Sequence, residues 1–166
     1  MNIVLIGYRG TGKSTAGKIL AEKLNRPLIP MDELIVKKAG MSIPEIVEKH
    51  GWDYFRDIES EVAKEVSNKD NCIIDCGGGV VLRDENVKNL KQNGKCFLLK
   101  ANMDTIISRI QGDANRPALK EGMSFKEEQE KVLKEREPKY KSAADIEVDT
   151  SVLNIEQAVE KILGKI

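Results

Sequence analysis

Gly7, Gly12, Lys13 and Ser14 stand in the run GYRGTGKST at residues 7–15, with four residues between the first two of them. G-x-x-x-x-G-K-[ST] is the pattern of a polyphosphate-binding loop, and it has the context the pattern requires: an apolar strand-like stretch before it, a helix-like stretch after it. Gly10 and Gly12 let the backbone turn so that successive N–H groups point inward and form an anion-binding concavity. A helix opening near Lys13 adds the partial positive charge of its N-terminus. The Lys13 ammonium can reach the β- and γ-phosphates of ATP, and the Ser14 hydroxyl can ligate Mg²⁺. The expected nucleotide contacts are therefore Gly10, Thr11, Gly12, Lys13, Ser14 and Thr15.

Carboxylates, glycines and arginines elsewhere offer the rest of a phosphoryl-transfer site. Asp32 follows the second strand-like run and Asp75 ends the third. A carboxylate at either position can face the phosphates, one to orient a substrate hydroxyl and another to hold water on Mg²⁺. Gly77, Gly78 and Gly79 follow Asp75 closely, where a triple glycine lets a ligand approach the backbone. Arg56 has Glu59 three residues on, and Arg136 lies between Glu135 and Glu137, so each reads equally as a solvated ion pair or as an anion clamp. Arg116 precedes Pro117 in a polar stretch, where a closing loop would carry a cation onto a transferring phosphoryl group. His50, the single histidine, reads as a surface residue, and Trp52, Tyr54 and Phe55 as packing anchors.

Positioning these residues takes alternating strands and helices. Strand-like runs fall at residues 3–6, 27–29, 72–75, 96–99 and 146–148. Helix-like spacing covers 14–24, 43–50, 54–67, 85–93, 103–109, 126–141 and 155–163. Short apolar strands alternating with helices predict a parallel sheet covered on both faces, with ligands at the carboxyl ends of its strands. Residues 30–70 hold more helix than a crossover needs, and residues 111–125 are polar and punctuated by glycine and proline. An insert beside the phosphate site and a polar flap suit a small-molecule kinase that closes over its substrate. The 27 basic and 27 acidic residues leave no net field to favour nucleic acid or an anionic membrane. Cys72, Cys76 and Cys96 are an odd number without C-x-x-C spacing, which fits a reducing compartment. Without a signal-like leader or an 18-residue apolar run, the chain is expected in the cytoplasm as one domain, residues 1–166, and as a monomer.

Together these pieces resemble the shikimate kinase family over nearly the whole chain. GYRGTGKST is similar to its P-loop, LIPMDELIVKKAGMSIPEI to its post-strand acidic motif and G-x-S-I helix, and WDYFRDIES to its F-R-x-x-E segment. DCGGGVV resembles its glycine-rich loop, NRPAL its lid R-P motif, and REPKYKSAADIEVDT its R-x-P-x-Y…A-D…V-x-T segment. The resemblance implies an α/β fold of the P-loop NTPase type: a parallel five-stranded sheet of order 2-3-1-4-5, flanked by helices. It also implies a substrate-binding helical insert at about residues 30–60 and a lid at about 111–125. The implied reaction is phosphorylation of the 3-hydroxyl of shikimate by MgATP, a step of aromatic amino-acid biosynthesis. Carried over by position, Asp32 bonds the ring hydroxyls and orients or deprotonates the nucleophile. Arg56 and Arg136 clamp the substrate carboxylate, and Gly77, Gly78 and Gly79 line its pocket. Arg116 reaches over the phosphates, and Arg109 packs against the adenine.

Three positions depart from the family pattern. A D-x-D usually follows the second strand, its first aspartate helping to hold the Mg²⁺ shell; here Pro30 takes that place, two before Asp32. Asp75 stands where a small or hydroxyl residue is usual, and other P-loop enzymes put a Walker B aspartate there. Ser14 and Asp75 are therefore the expected metal-side residues. Lys139 replaces a common leucine. Pro30 keeps one alternative open, a related kinase acting on another hydroxylated acid such as gluconate or homoserine; a second, a nucleotide-binding protein without catalysis, is opposed by the intact Lys13, Ser14, Asp32 and Arg116.

Overall fold

The computed structural model describes residues 1–111 and 124–166. Five strands form one parallel sheet in the order β2-β3-β1-β4-β5: β1 Asn2–Ile6, β2 Leu28–Pro30, β3 Ile73–Asp75, β4 Gly94–Lys100 and β5 Ile146–Asp149. Seven helices are described around it: α1 Lys13–Leu24, α2 Met31–Ala39, α3 Ile43–Ser67, α4 Asp84–Gln92, α5 Met103–Ile110, α6 Phe125–Ala143 and α7 Ile155–Leu163. The expected strand order and alternation stand.

β1 is buried throughout and serves both faces of the sheet. Alternate side chains of a strand point to opposite faces. Ile3 and Leu5 join the core layer of α1 and α7 with Ala16, Leu20, Val159 and Ile162. Val4 and Ile6 join the other layer, where α2, α3 and α6 contribute Met31, Ile35, Phe55, Val62, Val132 and Tyr140. Among the described residues, no helix is long and apolar enough to cross a membrane.

The insert holds more regular structure than the pattern predicted. Helix α2 starts directly after Pro30, whose fixed φ and missing N–H are tolerated at a helix start. The predicted stretches 43–50 and 54–67 are two arms of α3, joined across Gly51, which adopts φ 82°. Phe55 is buried as expected and Trp52 packs against the core, whereas Tyr54 is exposed and stacks on exposed His50, ring centroids 4.3 Å apart. Tyr54 is thus not the packing anchor its sequence position implied, because its place on the helix turns it to solvent.

Candidate active site

The carboxyl ends of β1, β2 and β3 converge on a cavity of about 490 Å³ whose wall includes Lys13, Ser14, Pro30, Asp32, Asp75 and Gly78. The loop after β1 turns as its glycines require: Gly10 and Gly12 adopt φ of 75° and 95°, a region closed to most side chains. Gly12 is the N-cap of α1, which has no side-chain cap and no acidic residue in its first turn. By contrast, α3, α5, α6 and α7 are capped by Ser42, Asn102, Ser124 and Asn154. The first turn of α1 thus offers its N–H groups and dipole to an anion. Lys13 is buried, its ammonium donating to the carbonyls of Gly7 and Tyr8, each at 2.9 Å.

Across the cavity the Ser14 hydroxyl donates to Asp75 Oδ2 at 2.6 Å. A hydroxyl and a carboxylate in contact on a phosphate-binding wall are the hard oxygen donors that suit Mg²⁺, which binds such sites with few carboxylates, substrate phosphates and several waters. Among the described residues no group of three or more His, Cys, Asp or Glu is placed to hold a metal ion by itself. Pro30 is the register partner of Asp75 on the neighbouring strand, so the two departures sit side by side.

The triple glycine is the most informative part of the geometry. A Cβ on Gly77 would stand 2.9 Å from Asp32 Oδ1, and one on Gly78 would stand 3.5 Å from Arg136 Nη1. A Cβ on Gly79 would overlap the Arg56 guanidinium. Each glycine therefore backs onto one of the three polar side chains singled out in the sequence, which come from α2, α3 and α6. Arg56 does pair with Glu59, 2.9 Å away, but the pair is buried rather than solvated, with Glu59 1% exposed. Burial pushes the Glu59 carboxyl up from its ordinary range, against the opposing pull of Arg56, and the nearby Asp32 charge adds to the rise. Arg56 also lies over the Trp52 and Phe55 rings, 5.3 and 5.0 Å from their centroids. Arg136 is buried, and its neighbour Tyr140 donates to the Gly78 carbonyl at 2.5 Å. Burial pushes the Tyr140 phenol up to about 12.

Arg109 does more than line the nucleotide side. Its guanidinium donates to the Gly10 carbonyl at 3.0 Å and to Thr150 Oγ1 and O at 3.1 and 3.0 Å. Thr150 Oγ1 in turn donates to the Thr11 carbonyl at 2.8 Å, tying the β5–α7 loop to the phosphate loop. A second cavity of about 250 Å³ opens here, lined by Gly12, Thr15, Arg109, Thr150, Asn154 and Ile155. Sequence reasoning missed Thr150, Asn154 and Ile155 in this lining, as well as Arg9, which lines the main cavity, and Glu59 as a buried partner. Thr11 is buried within the loop and Thr15 lines both cavities. Arg116 and most of the expected lid at residues 111–125 lie outside the described residues.

Comparison with known proteins follows the same geometry. A family model described as shikimate kinase matches residues 9–166. A shikimate kinase of Caldicellulosiruptor bescii is 44% identical over 163 residues, covering 98% of this chain and 94% of the relative. The structure of shikimate kinase from Acinetobacter baumannii in complex with shikimate superposes with a TM-score of 0.93 at 33% identity, covering 99% of this chain and 91% of that one. Shikimate kinase from Aquifex aeolicus superposes at 0.82 with 37% identity, over 98% and 94% of the two chains.

Proposed function

The chain belongs to the shikimate kinase family, and from that premise we propose that this protein transfers the γ-phosphoryl group of ATP to the 3-hydroxyl of shikimate in the cavity at the ends of β1, β2 and β3. The observation that carries this reading is the close fit of Gly77 against Asp32 and of Gly79 against Arg56, with Arg136 in van der Waals reach of Gly78 between them. It leaves a bare backbone floor beneath one carboxylate and two guanidinium groups. Two guanidinium forks can grip one carboxylate bidentately, and a carboxylate opposite them suits ring hydroxyls.

Asp32 accepts the proton of the attacking hydroxyl as its oxygen bonds to the γ-phosphorus, while the bond to the β–γ bridging oxygen breaks and ADP leaves. Such a transition state is loose and its charge is spread over the equatorial oxygens, so catalysis is chiefly positioning and charge neutralisation. Lys13 supplies a compact cation at the β- and γ-phosphates, and the N–H groups of residues 10–15 hold the polyphosphate. Ser14 and Asp75 are the residues that would hold Mg²⁺, directly or through its waters. The ion, when bound, neutralises developing phosphate charge and fixes the phosphates in line. Arg109, Thr150 and Asn154 frame the adenine side. The part assigned to Arg116, over the phosphates, rests on the sequence resemblance. We further propose that the enzyme works as a cytoplasmic monomer, with residues 1–166 as one kinase domain and with neither nucleic acid nor membrane as a partner.

The test is a coupled ADP-release assay with shikimate, gluconate, homoserine and no acceptor. Shikimate-dependent turnover is expected. Turnover only with another hydroxy acid moves the reading to that substrate, and nucleotide binding without turnover on any of them refutes a kinase.

A further inference from the structure

Tyr8 stands in the phosphate loop, yet its side chain is 1% exposed and runs away from the phosphates into the core. Its hydroxyl donates to Gln129 Oε1 on α6, a residue also 1% exposed and 121 positions away in sequence. Its ring lies beneath Arg136, whose Cζ is 6.0 Å from the ring centroid. Its backbone carbonyl accepts from the Lys13 ammonium at 2.9 Å and from Thr11 Oγ1 at 2.7 Å. One residue therefore touches the cation of the phosphate site, the cation of the carboxylate site and the helix that carries the second of these.

Helix α6 is built to receive that contact. Gln129, Arg136 and Tyr140 are buried and recur at seven- and four-residue spacing, which puts them on one helical face. Gln129 holds the phosphate loop, Tyr140 holds the Gly78 carbonyl, and Arg136 projects between them. A phenol buried this deeply needs its hydrogen bond, since an unsatisfied buried hydroxyl bears its full desolvation penalty. A phenylalanine would fill the same core position without that requirement. The hydroxyl thus fixes a register between loop and helix that packing alone would leave looser.

We propose that Tyr8 and Gln129 are positioning residues that couple the two substrates: nucleotide bound at Lys13 sets Arg136 for the acceptor carboxylate, and the acceptor sets Lys13 for the phosphates. Phosphates draw the Lys13 ammonium off the Tyr8 carbonyl, and the acceptor carboxylate reseats Arg136 over the Tyr8 ring. Both events act on one residue, the first at its backbone carbonyl and the second at its ring, and its phenol is pinned to α6. The proposal rests on shikimate and ATP being the substrates.

The experiment measures shikimate affinity by calorimetry with and without saturating MgADP, a non-reacting pair, and ADP affinity with and without shikimate. Trp52, the single tryptophan, lies 5.3 Å from Arg56 and gives a local emission signal for the same site. In the unaltered enzyme each ligand should tighten the other by the same factor, about fivefold or more, because binding coupling is reciprocal. Y8F, and the double variant Y8F/Q129L in which both polar ends are replaced together, should bring that factor to within about twofold of one, a loss of at least half the smallest coupling expected. Q129E keeps an acceptor for the phenol and should retain most of the coupling. A purely structural role would lower the melting temperature of Y8F and leave the factor unchanged, and that result overturns the proposal. So does a factor near one in the unaltered enzyme. Failure of shikimate to bind or turn over at all would instead remove the functional reading, and the coupling with it.

Discussion

Replacing Asp75 by asparagine separates charge from shape at the metal side of the site. Asparagine keeps the shape and one oxygen that can accept from the Ser14 hydroxyl, now 2.6 Å from Asp75 Oδ2, and replaces the other oxygen and the negative charge with a neutral NH₂ donor. Two physical scales bound the effect. Loss of a group supporting a bound metal costs about 10–100-fold in metal affinity, and a hydrogen bond to a charged group is worth about 1.5–3 kcal/mol. At about 1.4 kcal/mol per tenfold these ranges agree. D75N should therefore raise the Mg²⁺ concentration for half-maximal activity about 10–100-fold and lower kcat, leaving shikimate affinity nearly unchanged. A readout independent of turnover is the binding of Mn²⁺ with ADP, followed by the loss of the free-ion electron paramagnetic resonance signal, which should weaken to the same degree.

The second half of the test uses P30D. Pro30 pairs with Asp75 across β2 and β3, and it is also the N-cap of α2 with no side-chain cap. An aspartate there returns a carboxylate to the other side of the ion and caps the helix, the capping alone being worth about 0.5–2 kcal/mol. P30D should thus raise the melting temperature with or without metal. In the D75N background it should also restore part of the lost Mn²⁺ affinity. Non-additivity between the two positions is the signature of groups that share one partner. A D75N enzyme with unaltered Mg²⁺ and Mn²⁺ dependence would refute the metal role of Asp75.

R136K should raise the KM for shikimate by about 10–100-fold, equivalent to the 1.5–3 kcal/mol of a bond to a charged group, because an ammonium cannot reproduce a bidentate fork; an unchanged KM in steady-state assays would return Arg136 to a structural role. G79A should keep the fold, since the colliding atoms are the end of the Arg56 side chain rather than backbone. Its shikimate KM should rise at least about tenfold as the Arg56–Glu59 pair is pushed aside, and wild-type affinity by calorimetry would contradict the close approach. Cys72, Cys76 and Cys96 are all buried, and burial pushes their thiols up, Cys96 to about 12. At pH 8 they stay protonated in the native state, so a thiol-reactive dye should label them only after unfolding; rapid labelling of the native chain would show that their strands open.

What was legible in the sequence follows the range of each interaction. The phosphate loop is a local device, with Gly10, Gly12, Lys13 and Ser14 held within a few residues of each other, and its pattern carried the sheet topology by resemblance. The glycine triplet was visible as a gap for a ligand. Which side chain each glycine faces was not, because Asp32, Arg56 and Arg136 reach it from three different helices. Arg56 looked evenly balanced because its i,i+3 partner Glu59 is real; only burial distinguishes a supported clamp from a surface pair. Helix α2 was absent from the helix-like stretches because its N-cap, Pro30, carries none of the side-chain oxygens that mark a helix start. The β5–α7 loop gave no spacing rule, so Thr150 and Asn154 emerged only when Arg109 was seen to bridge them to the phosphate loop. The lid at residues 111–125 and Arg116 remain sequence expectations, since nearly all of that stretch is outside the described residues.

A parallel sheet makes the exchange at Pro30 and Asp75 physically cheap. Register partners on adjacent strands lie about 4.8 Å apart, near the span of one water bridging two polar groups. On the metal role proposed for Asp75, a carboxylate on β3 in place of one on β2 would therefore still reach the hydration shell of the same ion. Moving it one residue along its own strand would instead send it to the opposite face, here the apolar layer of α1 and α7 or that of α2 and α3. Substitution across the sheet preserves the level at which the phosphates sit, while substitution along a strand does not. Pro30 is also tolerable because proline, which donates nothing to a ladder, is confined to edges, strand ends and bulges, and β2 is an edge strand. The carboxylate thus stands on the more central of the two strands, where β1 and β2 hold β3 on both sides and Ser14 faces it.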